Sequence, residues 1–116
     1  MELSKEEKLR IFVRAMEVIP TPAQFIHDDF ARDARGFPVS VSNPAAVAFC
    51  VRGAICKALL EAGYARWEPD TRPEHILRNE AEVILGVDDL GGWNNVNDHP
   101  AVLAGLRKVV ETLKAA

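Results

Sequence analysis

Asn43-Pro44-Ala45-Ala46-Val47-Ala48-Phe49-Cys50-Val51-Arg52-Gly53-Ala54-Ile55-Cys56-Lys57-Ala58-Leu59-Leu60-Glu61-Ala62-Gly63 is the stretch whose reading decides the fold. Asn43 offers a capping side chain, and Pro44 is pre-set for a first helical turn. From Ala45 to Ala62 the only charged side chains are Arg52, Lys57 and Glu61. A helix apolar around most of its circumference belongs inside a protein, and Gly63 supplies the stop. The spacing predicts a buried central helix over 45–62. Gly53 interrupts it at a cost of ~1 kcal/mol relative to alanine, which points to a close crossing by a neighbouring helix.

Amphipathic segments flank this one on both sides. Ser4-Lys5-Glu6-Glu7 has the form of a capping box, followed by Leu9, Phe12, Ala15, Met16 and Ile19 at helical spacing. Pro20 ends that first helix, and Thr21-Pro22 opens a second, short one that carries Phe25, Ile26 and Phe30 to about Arg32. Asp33-Ala34-Arg35-Gly36 reads as a turn. Phe37-Pro38-Val39-Ser40-Val41 alternates apolar and other residues, so a short extended segment or one arm of a small hairpin is expected there. Pro38 restricts it to an edge. Thr71-Arg72-Pro73-Glu74 is a second capping box, opening a helix whose inner stripe is Ile76, Leu77, Ala81, Ile84 and Leu85, with Gly86 after it. A loop over 87–96 then leads to Asn97-Asp98-His99-Pro100 and a last helix with Val102, Leu103, Leu106, Val109, Val110 and Leu113 inward. The expected fold is mainly α: about five helices packed around one buried central helix, with a short extended segment or small hairpin near 37–41, in a single domain over 1–116.

At 116 residues the chain fits one domain. Its 48% apolar content excludes wholesale disorder. No apolar run reaches the ~20 residues of a membrane helix, and the charged start Glu2 to Glu7 lacks a signal-peptide core. A net charge of −3 argues against a large nucleic-acid footprint, although Lys5, Lys8, Arg10 and Arg14 put a modest basic face on the first helix. Cys50 and Cys56, roughly 9 Å apart along one helix axis, are too far apart to bridge. Two free thiols suit a reducing, cytoplasmic setting. His27, His75 and His99 make no zinc-type spacing with either cysteine. Asp88, Asp89 and Asp98 lack the regular ligand positions of a calcium loop. No metal or cofactor is expected.

Three groups of residues resemble a known pattern. They are Phe30-Ala31-Arg32-Asp33 with Gly36-Phe37-Pro38-Val39, Pro44-Ala45-Ala46 with Cys50-Val51-Arg52-Gly53-Ala54-Ile55, and Trp93-Asn94-Asn95. In that order the segments, over about residues 25–110, resemble DUF6197, a family of small uncharacterised actinobacterial and phage proteins. The resemblance implies a fold unit and a phage-borne or accessory setting; it supplies no activity. It also implies that Asn95 stands where the family carries an acid.

Three residues or groups carry candidate chemistry. Cys50 is the nucleophile candidate, with His99 as base and Asn94 or Asp98 to orient the imidazole, since a triad is recognised by geometry rather than order. Set between Phe49 and Val51 in the most apolar helix, Cys50 reads better as a small, unreactive core residue. Arg52 is either the solvent stripe of that helix or a buried cation paired with Asp28, Asp29 or Asp33. Trp93, after Gly91-Gly92, is expected to lay its indole on the central helix near Cys50 or Gly53, with Asn94 and Asn95 leading into the next cap. The sequence therefore favours a non-enzymatic domain acting through an unidentified protein partner or a second copy as a homodimer. Its binding candidates are Trp93, Asn94, Asn95 and Arg52. A cysteine-dependent hydrolase or transferase built on Cys50 is the alternative.

Overall fold

Residues 2–116 are described by the structure, a computed structural model. The Ser4–Glu7 capping box forms as the sequence requires: Ser4 Oγ accepts from Glu7 N–H at 3.1 Å, and Glu7 Oε1 accepts from Ser4 N–H at 3.1 Å. The helix it opens, α1 (Lys5–Val18), buries Ile11, Phe12 and Ala15. The predicted second helix does not form. Thr21 caps only a three-residue 3-10 turn, Pro22–Gln24. Phe25 is then extended and bridges to Phe49, and Ile26 N–H donates to Phe49 O at 3.2 Å. A tertiary pairing overrides a valid local start signal.

The central helix is present but shorter than the spacing predicts. It is α2 (Val51–Glu61), with Val51, Gly53, Ala54, Ile55, Cys56, Ala58 and Leu59 buried. Residues 43–46 make a turn in which Asn43 Oδ1 accepts from Ala45 N–H at 2.8 Å. Ala48–Phe49 is a strand, β2, antiparallel to β1 (Ala31–Arg32), with Ala31 opposite Phe49 and Arg32 opposite Ala48. Pro38 bridges to the other side of Arg32, so the expected small extended unit lies at 31–32, 38 and 48–49.

α3 (Arg72–Leu85) buries Leu77 and Ala81 and ends at Gly86. Its predicted capping box is not made. Thr71 Oγ1 donates to Glu68 O instead, and Glu74 accepts from Asp70 N–H and turns inward to Arg52. The predicted 87–96 loop contains a short helix, α4 (Leu90–Asn95), capped by Asp89. Asp98 caps α5 (His99–Ala115), which buries Val102, Leu106, Val109, Val110 and Leu113. Five α-helices thus surround one core, and α2 lies at its centre, packed against α1, α3 and α4.

Two glycines mark close approaches. A Cβ on Gly53 would lie 1.9 Å from the carbonyl oxygen of Phe30, so the neighbour that requires glycine is a backbone segment, not the crossing helix expected from the sequence. A Cβ on Gly105 would meet Trp93 Cη2 and Cζ2 at 2.6 Å. The indole therefore rests on Gly105 of α5, whereas the sequence placed it on α2 near Cys50 or Gly53. Gly53→Ala is expected to destabilise by about 3 kcal/mol through overpacking. Thermal melting checks this; an unchanged midpoint would remove the Phe30 contact as a constraint.

Candidate functional site

Cys50 is not inside a helix. It is the N-cap of α2, and its Sγ accepts from Gly53 N–H at 3.3 Å. Only 7% of it is exposed. Burial pushes its thiol up, against the opposing pull of the Gly53 and Arg52 N–H groups and the Arg52 charge. Cys56 is pushed up as well, by burial first and by Glu74 second. Both thiols are free.

The other members of the candidate triad are engaged elsewhere. His99 Nε2 lies 2.7 Å from Ile19 O, and the ring packs at 5.8 Å from Phe25. Asp98 Oδ1 accepts from Ala101 N–H at 3.0 Å. Asn94 is fully buried: its Oδ1 accepts from Val51 N–H at 2.9 Å, and its Nδ2 donates to Ile26 O at 3.1 Å. Among the described residues, no hydrogen bond joins Cys50 to His99, Asn94 or Asp98.

Arg52 is a half-buried, paired cation, but its partners are not the acids near it in the sequence. Its Nη2 donates to Glu74 Oε1 at 2.8 Å and to Asp70 Oδ1 at 3.2 Å, and its Nε donates to Glu74 Oε2 at 3.2 Å. The Phe30 ring lies over the guanidinium, 5.2 Å from Cζ to the ring centroid. Burial would lower the pKa of Arg52, but Glu74 and Asp70 reverse that and raise it. Arg78 Nε approaches Glu74 Oε2 at 3.2 Å, as an ionic contact without hydrogen-bond geometry. Glu74, with 0% exposure, thus sits between two guanidinium groups.

Of the four binding residues expected from the sequence, Arg52 and Asn94 are spent on internal ties, and Trp93 is half-buried against Gly105. Asn95 is exposed, and its Oδ1 accepts from Asp28 N–H at 3.0 Å. A carboxylate at that position could accept the same bond, so Asn95 does not interrupt the local backbone geometry. A cavity of about 100 Å³ lies here, lined by Asp28, Asp29, Phe30, Cys50, Arg52, Gly91 and Asn95.

Two surfaces stand out that the sequence reading did not single out. The first is a groove of about 800 Å³ between α1 and the end of α2, with Leu9, Ile11, Val13 and Ala58 among its lining residues. Two ties join its walls: Tyr64 Oη donates to Glu7 Oε2 at 2.6 Å, and Arg14 Nη2 donates to Glu61 Oε2 at 2.9 Å. Burial and the Glu7 bond push Tyr64 up to about 12, and the Tyr64 hydroxyl holds Glu7 below the usual carboxylate range. The second surface is the segment over 36–47. Phe37 is 60% exposed and Val47 48%, and Pro38, Pro44 and Ala45 are exposed beside them. The signal was present in the sequence: no Asp, Glu, Lys or Arg occurs from Gly36 to Val51. That run reads as core helix until the helix start is known to be Val51.

Among the described residues no helix is long and apolar enough to cross a membrane, and no group of three or more His, Cys, Asp or Glu side chains could hold a metal ion. The site and fold define a five-helix domain with a two-stranded appendage. The chain matches no family model, no curated protein and no solved structure.

Alkylation of the native protein by iodoacetamide is expected to be at least about tenfold slower than for an exposed thiol of ordinary pKa. Fast labelling of Cys50, read by peptide mass spectrometry, would restore the nucleophile reading. Asn94→Ala leaves Val51 N–H and Ile26 O without their partner and is expected to cost about 2–4 kcal/mol by denaturant unfolding.

Proposed function

We propose that this chain is a small non-enzymatic domain that acts by binding a protein partner, a second copy of itself included, through the 36–47 segment. The observation that carries the reading is a largely exposed segment, 36–47, with no charged side chain of its own, in a chain whose residues are 27% charged. The cores of protein interfaces are depleted in charge and enriched in aromatic residues, and Phe37 and Val47 are large apolar side chains left in solvent here. Phe37 and Val47 stand on either side of Asp33, whose N–H donates to Phe37 O at 3.0 Å, while Val47 N–H donates to Arg32 O at 2.9 Å. Two strand spacings put them ~10 Å apart, close enough for one partner surface to cover both. The separate commitments of Cys50, His99, Asn94 and Asp98 support the non-enzymatic half of the reading. The free thiols support a reducing compartment such as the cytoplasm. A phage-borne or accessory setting rests on the sequence resemblance alone.

Phe37→Asp combined with Val47→Asp tests this, because both side chains face solvent and the fold does not depend on them. A partner retained by the immobilised wild-type chain, or a dimer seen by light scattering, is expected to be lost from the double variant. It is expected to be kept by Val83→Asp, at a more exposed position on α3. A partner or dimer indifferent to Phe37 and Val47 would overturn the assignment of the surface.

A further inference from the structure

We propose that the groove between α1 and the end of α2 is a binding site for a small aliphatic amine, an apolar body carrying one ammonium group. Its volume of about 800 Å³ falls within the usual range of small-molecule sites. The side chains of Leu9, Ile11, Val13 and Ala58 line it with hydrocarbon. Its walls are tied by Tyr64 to Glu7 and by Arg14 to Glu61. Glu7 and Arg14 are seven residues apart on α1, or ~10 Å of helix. A groove tied over so short a span suits a compact molecule better than a through-running chain.

The charge of the occupant follows from the ion pairs. Three carboxylates, Glu7, Glu17 and Glu61, line the groove against two guanidinium groups, Arg10 and Arg14. At the Arg14 end one cation serves two anions: Nη1 lies 3.3 Å from Glu17 Oε1, and Nη2 lies 2.9 Å from Glu61 Oε2. Among the described residues, the second oxygen of each of these carboxylates accepts no hydrogen bond. At the other end Glu7 accepts the Tyr64 hydroxyl, and the positive charge of Arg10 acts on both groups. The uncompensated charge is therefore negative and lies at the Glu17–Glu61 end. An ammonium group there, with its chain over the hydrocarbon of α1 and α2, meets both the charge and the surface.

Amide NMR titration of the whole chain with octylammonium, octanoate and octanol at low ionic strength tests the proposal. Octylammonium is expected to shift the amides of Val13, Arg14, Ala58 and Ala62 and to bind about fivefold or more tighter than octanoate, the discrimination that a single nearby charge gives at a wet surface. That preference is expected to shrink with added salt. Glu17→Gln, at a side chain 60% exposed, is expected to weaken octylammonium severalfold and leave octanol unchanged. Ala62→Leu is expected to weaken all three probes by filling the groove. The proposal fails if octylammonium shifts no groove amide, if octanoate binds as tightly, or if Glu17→Gln leaves the preference intact. None of these outcomes depends on the 36–47 surface.

Discussion

One side-chain amide holds three distant stretches of this chain together. Asn94 accepts from Val51 N–H and donates to Ile26 O. The Val51 N–H belongs to the first residue of α2, one of the orphan donors that every helix N-terminus leaves. A buried donor and a buried acceptor are thus satisfied by one group that offers both functions. A carboxylate would lose the donor, and an apolar side chain would lose both. With Ile26 pinned to α4, the strand run that follows passes over the start of α2. The Phe30 carbonyl then falls where only a residue without Cβ can face it, at Gly53. The Phe30 ring covers Arg52, and Arg52 turns to Glu74 of α3. Each contact positions the next.

The same chain of contacts explains what the sequence made legible. The Ser4 and Asp98 starts and the apolar stripes of α1 and α5 were readable because cap, periodicity and burial agree in them, and the stripe of α3 was readable from periodicity and burial alone. Central burial of α2 was readable from its lack of charge. Its first residue was not, because its cap is a cysteine, a residue outside the usual cap set. Asn43-Pro44 gave the stronger local signal and lost to the pairing of β2 with β1. Thr21-Pro22 lost in the same way to the bridge between Phe25 and Phe49. Gly91-Gly92 read as part of a loop over 87–96, but Asp89 caps them into α4 and so brings Asn94 to Val51. In the triplet Trp93-Asn94-Asn95 the expected contact of the indole with α2 is replaced: the Asn94 amide bonds the first residue of α2, and the indole packs on Gly105 of α5.

Arg52 shows why partner identity escapes a reading by proximity in sequence. Asp28, Asp29 and Asp33 lie within the segment that crosses α2, yet Asp29 is taken by Arg32 and Asp33 accepts from Arg35 and Phe37 N–H groups. Glu74 is left as the acid of α3 that faces inward. An ion pair with its carboxylate fully buried and its guanidinium half-buried adds little net stability, since desolvation offsets most of the attraction. Its effect is on geometry: an unpaired guanidinium or carboxylate at these positions is strongly unfavourable, so α2 and α3 are held in one register. The cost also falls on α3, whose N-terminus goes without the Glu74 half of its capping box.

With its buried polar groups so committed, the domain has its unspent surface outside the core, and the two outer regions differ in kind. The 36–47 segment borders a β-unit whose outer strand is the run through Pro38. In the Arg32–Pro38 bridge, Val39 N–H donates to Ala31 O and Asp33 N–H donates to Phe37 O. The outward-facing residue is therefore Pro38, which has no N–H to offer a further strand. An edge blocked in this way resists β-addition and edge-to-edge aggregation. A partner at this surface must then be recognised by side chains, with Phe37 and Val47 as the anchors, and not by backbone pairing. The α1–α2 groove is the opposite case: its apolar floor is recessed, and its rim is built of ion pairs that leave one negative charge in excess. Two exposed apolar anchors beside a closed strand edge suit a protein surface, and a bounded groove with a charged rim suits a small cation. The two surfaces therefore need not compete for one ligand.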